Sequence, residues 1–497
     1  MKFVIYFYIF VFKKIKTFML ENQSLKQTVL KNTLWLTIGN GTSKIIRAIL
    51  IIYAARILGT DGYGIFSYAL SVAAFFTVFS DIGLSSLLTR EVARGEKKDF
   101  RPYVSTTFVV KLILLAITIL ITVFIAPYFT KVLEARPLIP LVALLLVFDS
   151  LRGFGFSFTR AQNKMELEAG LSMATDTFIT IFGLIVLFTQ PTTTALTFAY
   201  IAGSGIGFVM VFWAIRRQLR GVFSHFDKKL IKPILTSAWP FAVMGLLGGF
   251  MINIDTIIIG IFKDAYNLGL YAAAQRPVQM LYMIPALFAT ALFPIMSKLA
   301  HSKNLEKLKQ IIEKSTAIVL ALGVPLVVGG IALGKPLIKL LFGAGYEGAI
   351  IPFQLLLVTI LFVFPGTVIG NAVFAYDKQK IFILSTGLGA LANTGLDLLL
   401  IPTYGIIGCA FATIFSQFIV NWINWREMKK ITGFRPIRLL SRTLIATAIM
   451  AVFVIIMNSF GLHIIPNIIL SSVIYLGVIF FLKDPLLDFI KISGLIK

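Results

Sequence analysis

The sequence predicts an all-α integral membrane protein of about 14 transmembrane helices: two six-helix lobes in a parallel pseudo-twofold repeat, followed by two C-terminal helices. Three observations predict it. The 497 residues are 58% hydrophobic with a mean hydropathy of +0.90, Lys and Arg alternate between successive connections, and the chain echoes itself at an offset near 205 residues. Soluble domains hold about 45–50% apolar residues, so this chain must place most of its surface in lipid.

A helix needs about 20 mostly apolar residues to cross a hydrocarbon core of about 30 Å. Fourteen runs meet that length, at 32–56, 62–89, 103–126, 138–159, 167–189, 193–215, 234–262, 269–297, 313–334, 348–375, 381–401, 405–425, 440–459 and 464–482. Short connections join them. With the segment before the first run placed inside, 35 of the 46 Lys and Arg residues fall on that side. The other side holds six: Arg56, Lys131, Arg136, Lys263, Lys335 and Lys339. The positive-inside rule reads this asymmetry as a consistent span count, with both termini cytoplasmic and the chain in the cell membrane.

Ahead of the first run, "FVIYFYIFVF" is too short to span and lacks a small-residue cleavage site. It reads as an interfacial anchor or as lying upstream of a true start at Met19. A net charge of +24 would suggest nucleic acid in a soluble protein, but in a membrane protein the distribution of charge outweighs its total, and no nucleic-acid partner is expected. The single Cys409 and the scattered His225, His301 and His463 predict no disulfide framework, no Cys-based metal site and no cofactor.

The loop and helix from Gly59, "GTDGYGIFSYALSV", echo "FKDAYNLGLYAAAQRPV" from Phe262, with Gly64 set against Gly269. Further on, "TRAQNKM" faces "FAYDKQK" at an offset of 214. Six spans, a basic loop at 216–233 and six more make a parallel repeat, because six is even. The expected division is an N-terminal extension (1–24), an N-lobe (25–222), a C-lobe (223–430) and a two-helix appendage (431–497), with a substrate path between the lobes.

Charged and polar residues interrupt the apolar spans. Asn40, Lys44 and Arg47 form one stripe on the first, at i, i+4 and i+7. Asp149 and Arg152 share a face of the fourth, and Tyr271, Gln275, Arg276, Gln279 and Tyr282 run along the eighth. Asn393 and Asp397 lie on the eleventh, Lys111, Asp176 and Asp255 on the third, fifth and seventh, and Asp81 on the second. A structural reading has Lys111 snorkelling to the interface, Asp149 neutralising Arg152, and Asp255 pairing with Arg276. Lys44 and Arg47 are too deep to snorkel and have no acid on their own span. Facing lipid, each would cost about 2.5–3.5 kcal/mol, so both are expected to face a wet cavity that attracts an anion. Lys44, Arg47, Arg276, Arg152 and Lys111 are thus candidate cavity cations, and Asn40, Gln275 and Gln279 candidate polar lining. Asp81, Asp149, Asp176, Asp255 and Asp397 are candidate carriers of a coupling ion or ion-pair partners.

"GGIALGKP", from Gly329, departs from a P-loop because Pro336 replaces the Mg²⁺-binding hydroxyl residue and no strand precedes it. "GLGALA", from Gly387, lies inside a span. "WPF" around Trp239, Gly245 and Gly249, Gly366 and Gly370, and Pro285, Pro294, Pro325 and Pro365 read either as close packing and ordinary kinks or as hinges.

The opening "NTLWLTIGNGTSKIIRAILIIYAARILGTDGYGIFSYALSVAAFFTVFSDIGLSSLLTREVARG" (Asn32 to Gly95) and the eighth-span "LGLYAAAQRPVQ" resemble the polysaccharide-transport branch of the multidrug/oligosaccharidyl-lipid/polysaccharide exporter superfamily. The resemblance covers nearly the whole chain from about Glu21. It implies a flippase that carries polyprenyl-pyrophosphate-linked oligosaccharide, such as O-antigen or capsule repeat units, to the outer leaflet by alternating access. It also implies basic residues on the first and eighth helices meeting the pyrophosphate, positions that Lys44, Arg47 and Arg276 match. Membrane lipids, H⁺ or Na⁺ coupling, and glycan polymerase or glycosyltransferase partners belong to the same expectation. The rival readings are a cation-coupled multidrug exporter, which calls for acidic cavity walls, and a lipid II flippase. An enzyme is not expected, since no outer connection is long enough to house saccharide chemistry.

Overall fold

The computed structural model describes residues 23–94, 100–219, 221–302 and 304–484, with side chains from Gly39 onward except those of Asn40, Arg94 and Ala291. The expected N-terminal extension up to Asn22 and the Asn40 side chain lie outside the described residues. Every regular element among the described residues is helical. In chain order these are α1 (Gln23–Phe79), α2 (Leu84–Arg94), α3 (Arg101–Phe124), α4 (Leu138–Ala161), α5 (Met165–Thr189), α6 (Thr193–Ala214), α7 (Ile231–Phe262) and α8 (Ala265–Leu281). They continue with α9 (Met283–His301), α10 (Leu305–Ala332), α11 (Gly334–Phe342), α12 (Ile350–Val358), α13 (Ile360–Ala375), α14 (Gln379–Thr432), α15 (Ser441–Ser459) and α16 (Ile464–Phe481).

Among the described residues 11 helices are long and apolar enough to cross a membrane, or up to 12 when Ala265–Thr290 and Leu292–His301, bent by 44°, count as one span. Counted this way the number falls short of the expected 14 separate spans, and two glycines account for the two spans missing from the larger count. Gly59 (φ 68°) interrupts the 57-residue α1 and Gly405 (φ 58°) the 54-residue α14, where connections between spans one and two, and eleven and twelve, were expected. At 1.5 Å per residue a straight α1 would reach about 86 Å, nearly three bilayer cores. Only glycine takes such a left-handed angle without a steric penalty, so each pair of spans turns on one residue instead of a loop.

Three expected spans are broken. The second stops at Phe79 and resumes at Leu84 through Ile82 (φ 34°) and Gly83 (φ 79°). A β-branched residue at positive φ is strained by about 1–3 kcal/mol. The break is held in place by Asp81, which accepts hydrogen bonds from Ser85 Oγ (2.6 Å) and Lys111 Nζ (2.5 Å). The eighth is interrupted at Tyr282 and the tenth at Thr359. The second and eighth helices, which correspond at the 205-residue offset, are thus both broken.

The two halves of the chain meet most closely at the Gly59 end of the bundle. A Cβ on Gly64 would stand 1.9 Å from the Ala265 carbonyl oxygen, and one on Gly269 would stand 2.0 Å from that of Thr60. Adding 205 turns Thr60 into Ala265 and Gly64 into Gly269, so the contacts exchange as a twofold axis requires. Around this crossing Tyr346 donates its hydroxyl hydrogen to the Ala55 carbonyl (2.8 Å), and Thr60 donates to that of Gly345 (3.1 Å). The rings of Tyr63, Phe342 and Tyr346 pack against one another with centroids 5.4–6.5 Å apart. Arg56 donates to the Leu340 and Leu341 carbonyls at the end of α11, and the Lys131 amide donates to Gly260 (2.9 Å). The largest buried core cluster draws on both halves, from Tyr63 and Val72 to Tyr271 and Phe364. The C-terminal pair α15 and α16 lies against α10, where Tyr475 donates to the Ala321 carbonyl (2.6 Å).

Candidate functional site

A cavity of about 750 Å³ lies between the halves. Gly41 and Lys44 of α1 and Met165 of α5 line it from the first half. From the second come Met251, Ile252 and Asp255 of α7, residues of α8 and α9 from Gln275 to Thr290, and Thr413 and Gln417 of α14. Lys44 is 15 residues from Gly59, about 22 Å along a helix, so the cavity extends from mid-bundle toward the end opposite the glycine crossing. Gln275, Gln279, Thr290, Thr413 and Gln417 supply hydrogen-bonding groups, while Met165, Met251 and Met283 supply adaptable apolar contacts.

The five candidate cations part company here. Lys44 is exposed and lines the cavity, and among the described residues it has no acidic partner. Arg47, one turn further along α1, turns to Asp176 of α5 and lies 5.8 Å from the Tyr200 ring centroid. The acid missing from its own span is thus provided by a neighbouring one. Arg152 donates to Asp149 (2.8 Å) and Ser204 (3.3 Å), and Ser204 also donates to Asp149 (2.8 Å). Lys111 does not snorkel: it is fully buried against Asp81. Arg276 lies beside the Tyr63 hydroxyl and makes no salt bridge to Asp255. Arg47, Arg152, Lys111 and Arg276 are not among the cavity's lining residues. Among the described residues the cavity's charged lining is therefore one cation, Lys44, and one carboxylate, Asp255, where an excess of cations was expected.

Asp255 opens onto a second arrangement, buried in the C-terminal half. It accepts hydrogen bonds from Tyr271 (2.5 Å), Asn393 (2.7 Å), Thr413 (2.9 Å) and Gln275 (3.4 Å). Asn393 also donates to Asp397 (2.8 Å), one turn along α14. Asp397 is fully buried, and its Oδ1 has no hydrogen-bond partner. Oxygens of Asp255 and Asp397 and the Cys409 sulfur lie within 4.8 Å of one another. Cys409 therefore has two carboxylate neighbours, although a lone cysteine predicted no such cluster. Two buried carboxylates this close cannot both stay ionised without a counter-charge, so the pair must share a proton or accept a cation. Carboxylate, amide and hydroxyl oxygens suit a hard cation or H⁺ better than a thiophilic metal.

Thr413 and Gln417 did not emerge from the sequence as site residues. Their signal was present, since they sit at i and i+4 on a mostly apolar span. So was that of Asn393 and Asp397, but the link between the two helices is tertiary.

The model of the family described as "Polysaccharide biosynthesis protein" matches residues 29–300, and the model named MatE matches 240–399. A putative O-antigen transporter of Shigella flexneri is 21% identical over 414 residues, covering 80% of this chain and 98% of the relative. The probable flippase AglR of Haloferax volcanii is 22% identical over 434 residues, covering 83% and 86%. A solved structure of the lipid II flippase MurJ in an inward closed conformation superposes with a TM-score of 0.76 at 18% identity, over 90% of this chain and 99% of that one. A likeness at that identity establishes the fold.

Proposed function

The chain belongs to the polysaccharide biosynthesis protein family, within the multidrug/oligosaccharidyl-lipid/polysaccharide exporter superfamily, and from that premise we propose that it flips a polyprenyl-pyrophosphate-linked oligosaccharide across the cytoplasmic membrane by alternating access. In this reading residues 25–222 and 223–430 act as two lobes, 431–497 as an appendage, and the Gly59 end faces outward. The observation that carries the reading is Lys44, a cation without an acidic partner on the wall of a 750 Å³ inter-half cavity that is sealed at its Gly59 end. Desolvating a pyrophosphate without a counter-charge is prohibitive. Lys44 provides one, Gln275, Gln279 and Gln417 offer donors to sugar hydroxyls, and the lipid tail stays in the bilayer between the lobes. Arg47 and Arg276 stand behind Lys44 as second cations that become available when the lobes rearrange.

The Asp255 and Asp397 pair is the coupling element in this reading. Binding H⁺ or Na⁺ there neutralises carboxylates that span α7 and α14 and draws together helices whose relative tilt opens the cavity. Asp81, Asp149 and Asp176, each holding a cation, act as ion-pair partners. The multidrug alternative calls for an acidic cavity in the N-terminal half, and the charged side chain lining that half is Lys44. Relatives named as flippases and transporters support transport over catalysis.

Glycan export in cells provides the test. Lys44→Glu should abolish export at normal protein levels and Lys44→Arg should retain it. Wild-type export by Lys44→Glu would end the reading. In a Cys409→Ala background, Lys44→Cys should react with charged thiol reagents and Lys111→Cys should not.

A further inference from the structure

A second cavity, of about 380 Å³, lies where α10, the end of α14 and the short 3₁₀ turn Pro436–Leu439 meet. Lys309 and Glu313 reach it from one face of α10, and Arg435 and Arg438 from the turn. Gly433, in the left-handed conformation (φ 65°, ψ 20°), ends α14 and folds the chain back over the site. Glu313 takes the backbone N–H of Arg435 (2.6 Å), which fixes the turn against α10. Among the described residues Lys309, Arg435 and Arg438 have no salt-bridge partner, so the site carries three cations against one carboxylate.

Its position limits what can occupy it. From Gly405 to Thr432 is 27 residues, about 40 Å of helix, so the cavity sits at the end opposite the glycine crossing. There the loops 298–314 and 426–442 hold 11 Lys and Arg between them. The turn leads directly into α15, a candidate span with only 28% of its most apolar window buried. Ile437, between the two arginines, is 66% exposed. A cationic pocket with an apolar lip at the edge of a lipid-facing helix matches a phosphate group carried on acyl chains.

We infer that Lys309, Arg435 and Arg438 form a binding site for the phosphate headgroup of an anionic phospholipid at the junction of the C-terminal pair with the rest of the bundle. A zwitterionic headgroup fits poorly, because its ammonium would be brought against the arginines. Bound lipid bridges α10 and the turn, and so fastens α15 and α16 to the second half.

The test is native mass spectrometry of the full-length chain in detergent, titrated separately with phosphatidylglycerol, phosphatidylcholine and inorganic phosphate. Phosphatidylglycerol should bind at least about 10-fold more tightly than phosphatidylcholine. R435Q/R438Q should weaken it about 30-fold, the effect of two basic groups at an anionic surface. K228Q/K229Q, in a different basic connection, should leave it unchanged. Equal binding of the two lipids, or an equal loss in both variants, would overturn the site. Competition by inorganic phosphate at the lipid's own concentration would reassign it to a soluble anion. Should melting curves show R435Q/R438Q unfolded, K309Q should still lower phosphatidylglycerol affinity about 5-fold, and an unchanged value would count against the site. The titration involves no transport, so its outcome is independent of the flippase reading.

Discussion

The two halves of this chain share a backbone plan and oppose each other in charge. In the first, each buried cation has found an acid: Arg47 with Asp176, Arg152 with Asp149, Lys111 with Asp81. In the second, Asp255 and Asp397 lie together with amide, hydroxyl and thiol neighbours and, among the described residues, no cation. In the proposed reading the difference separates two tasks, holding the anion and coupling its movement. With those charges balanced internally, the charged side chain that the first half offers to the cavity, among the described residues, is Lys44. In the same proposed reading, the second half's carboxylates await a coupling ion.

The comparison breaks most violently if the first half's pairs are not structural. Asp81→Asn leaves the fully buried Lys111 uncompensated and should cost about 3–5 kcal/mol in detergent melting experiments, with most of that regained in Asp81→Asn/Lys111→Met. A neutral outcome would mean that the pair is dispensable. For the second half, the wild type should gain about 2.7 kcal/mol of apparent stability at a cation concentration 100 times its Kd, whether Na⁺ or H⁺. Asp397→Asn should abolish the gain, and an undiminished response would place the cation elsewhere.

The shared backbone can be probed separately from charge. Gly64→Ala and Gly269→Ala press on equivalent carbonyls and should each destabilise by about 1–3 kcal/mol. Unequal costs would show that the twofold relation stops short of the crossing. The smallest effect concerns a place where the halves diverge. Asp264, at the N-terminus of α8, corresponds at the same offset to Gly59, which turns α1 without a cap. Backbone and side-chain hydrogen bonds from Asn267 hold the Asp264 carboxyl below its ordinary value. Its cap therefore stabilises fully above that ordinary value and is lost as pH falls through the lowered one. Asp264→Ala should cost about 1 kcal/mol at neutral pH and nothing once the carboxyl is protonated, as pH-dependent melting would show.

Much of the fold was legible because lipid imposes a simple grammar. Span ends from 103–126 to 464–482 fall within a few residues of helix ends wherever the chain is a plain rod, except that α10 begins at Leu305, well before the expected 313. Breaks at Ser80–Gly83, Tyr282 and Thr359 were hidden, since "SDIGLSSLL" keeps an apolar average while one positive φ and a buried ion pair redirect the helix. The candidate site was legible as a list and not as an arrangement. Polar residues on α1, α8 and α14 announced themselves against an apolar background, yet periodicity within one helix could not say that Arg47 would turn to α5. Nor could it say that Asp255 would choose Asn393 over Arg276. Those choices depend on which helices touch, and pairing across 129 or 138 positions of sequence leaves no local trace.

The seal at the Gly59 end is made largely of main-chain oxygens, those of Ala55, Thr60, Gly260, Ala265, Leu340, Leu341 and Gly345. Every amino acid carries such an oxygen, so the acceptor positions can change identity freely while keeping the lock. What is filtered there is bulk. Mutational drift on this rim should be wide in chemistry and narrow in volume, with Gly64 and Gly269 as its fixed points.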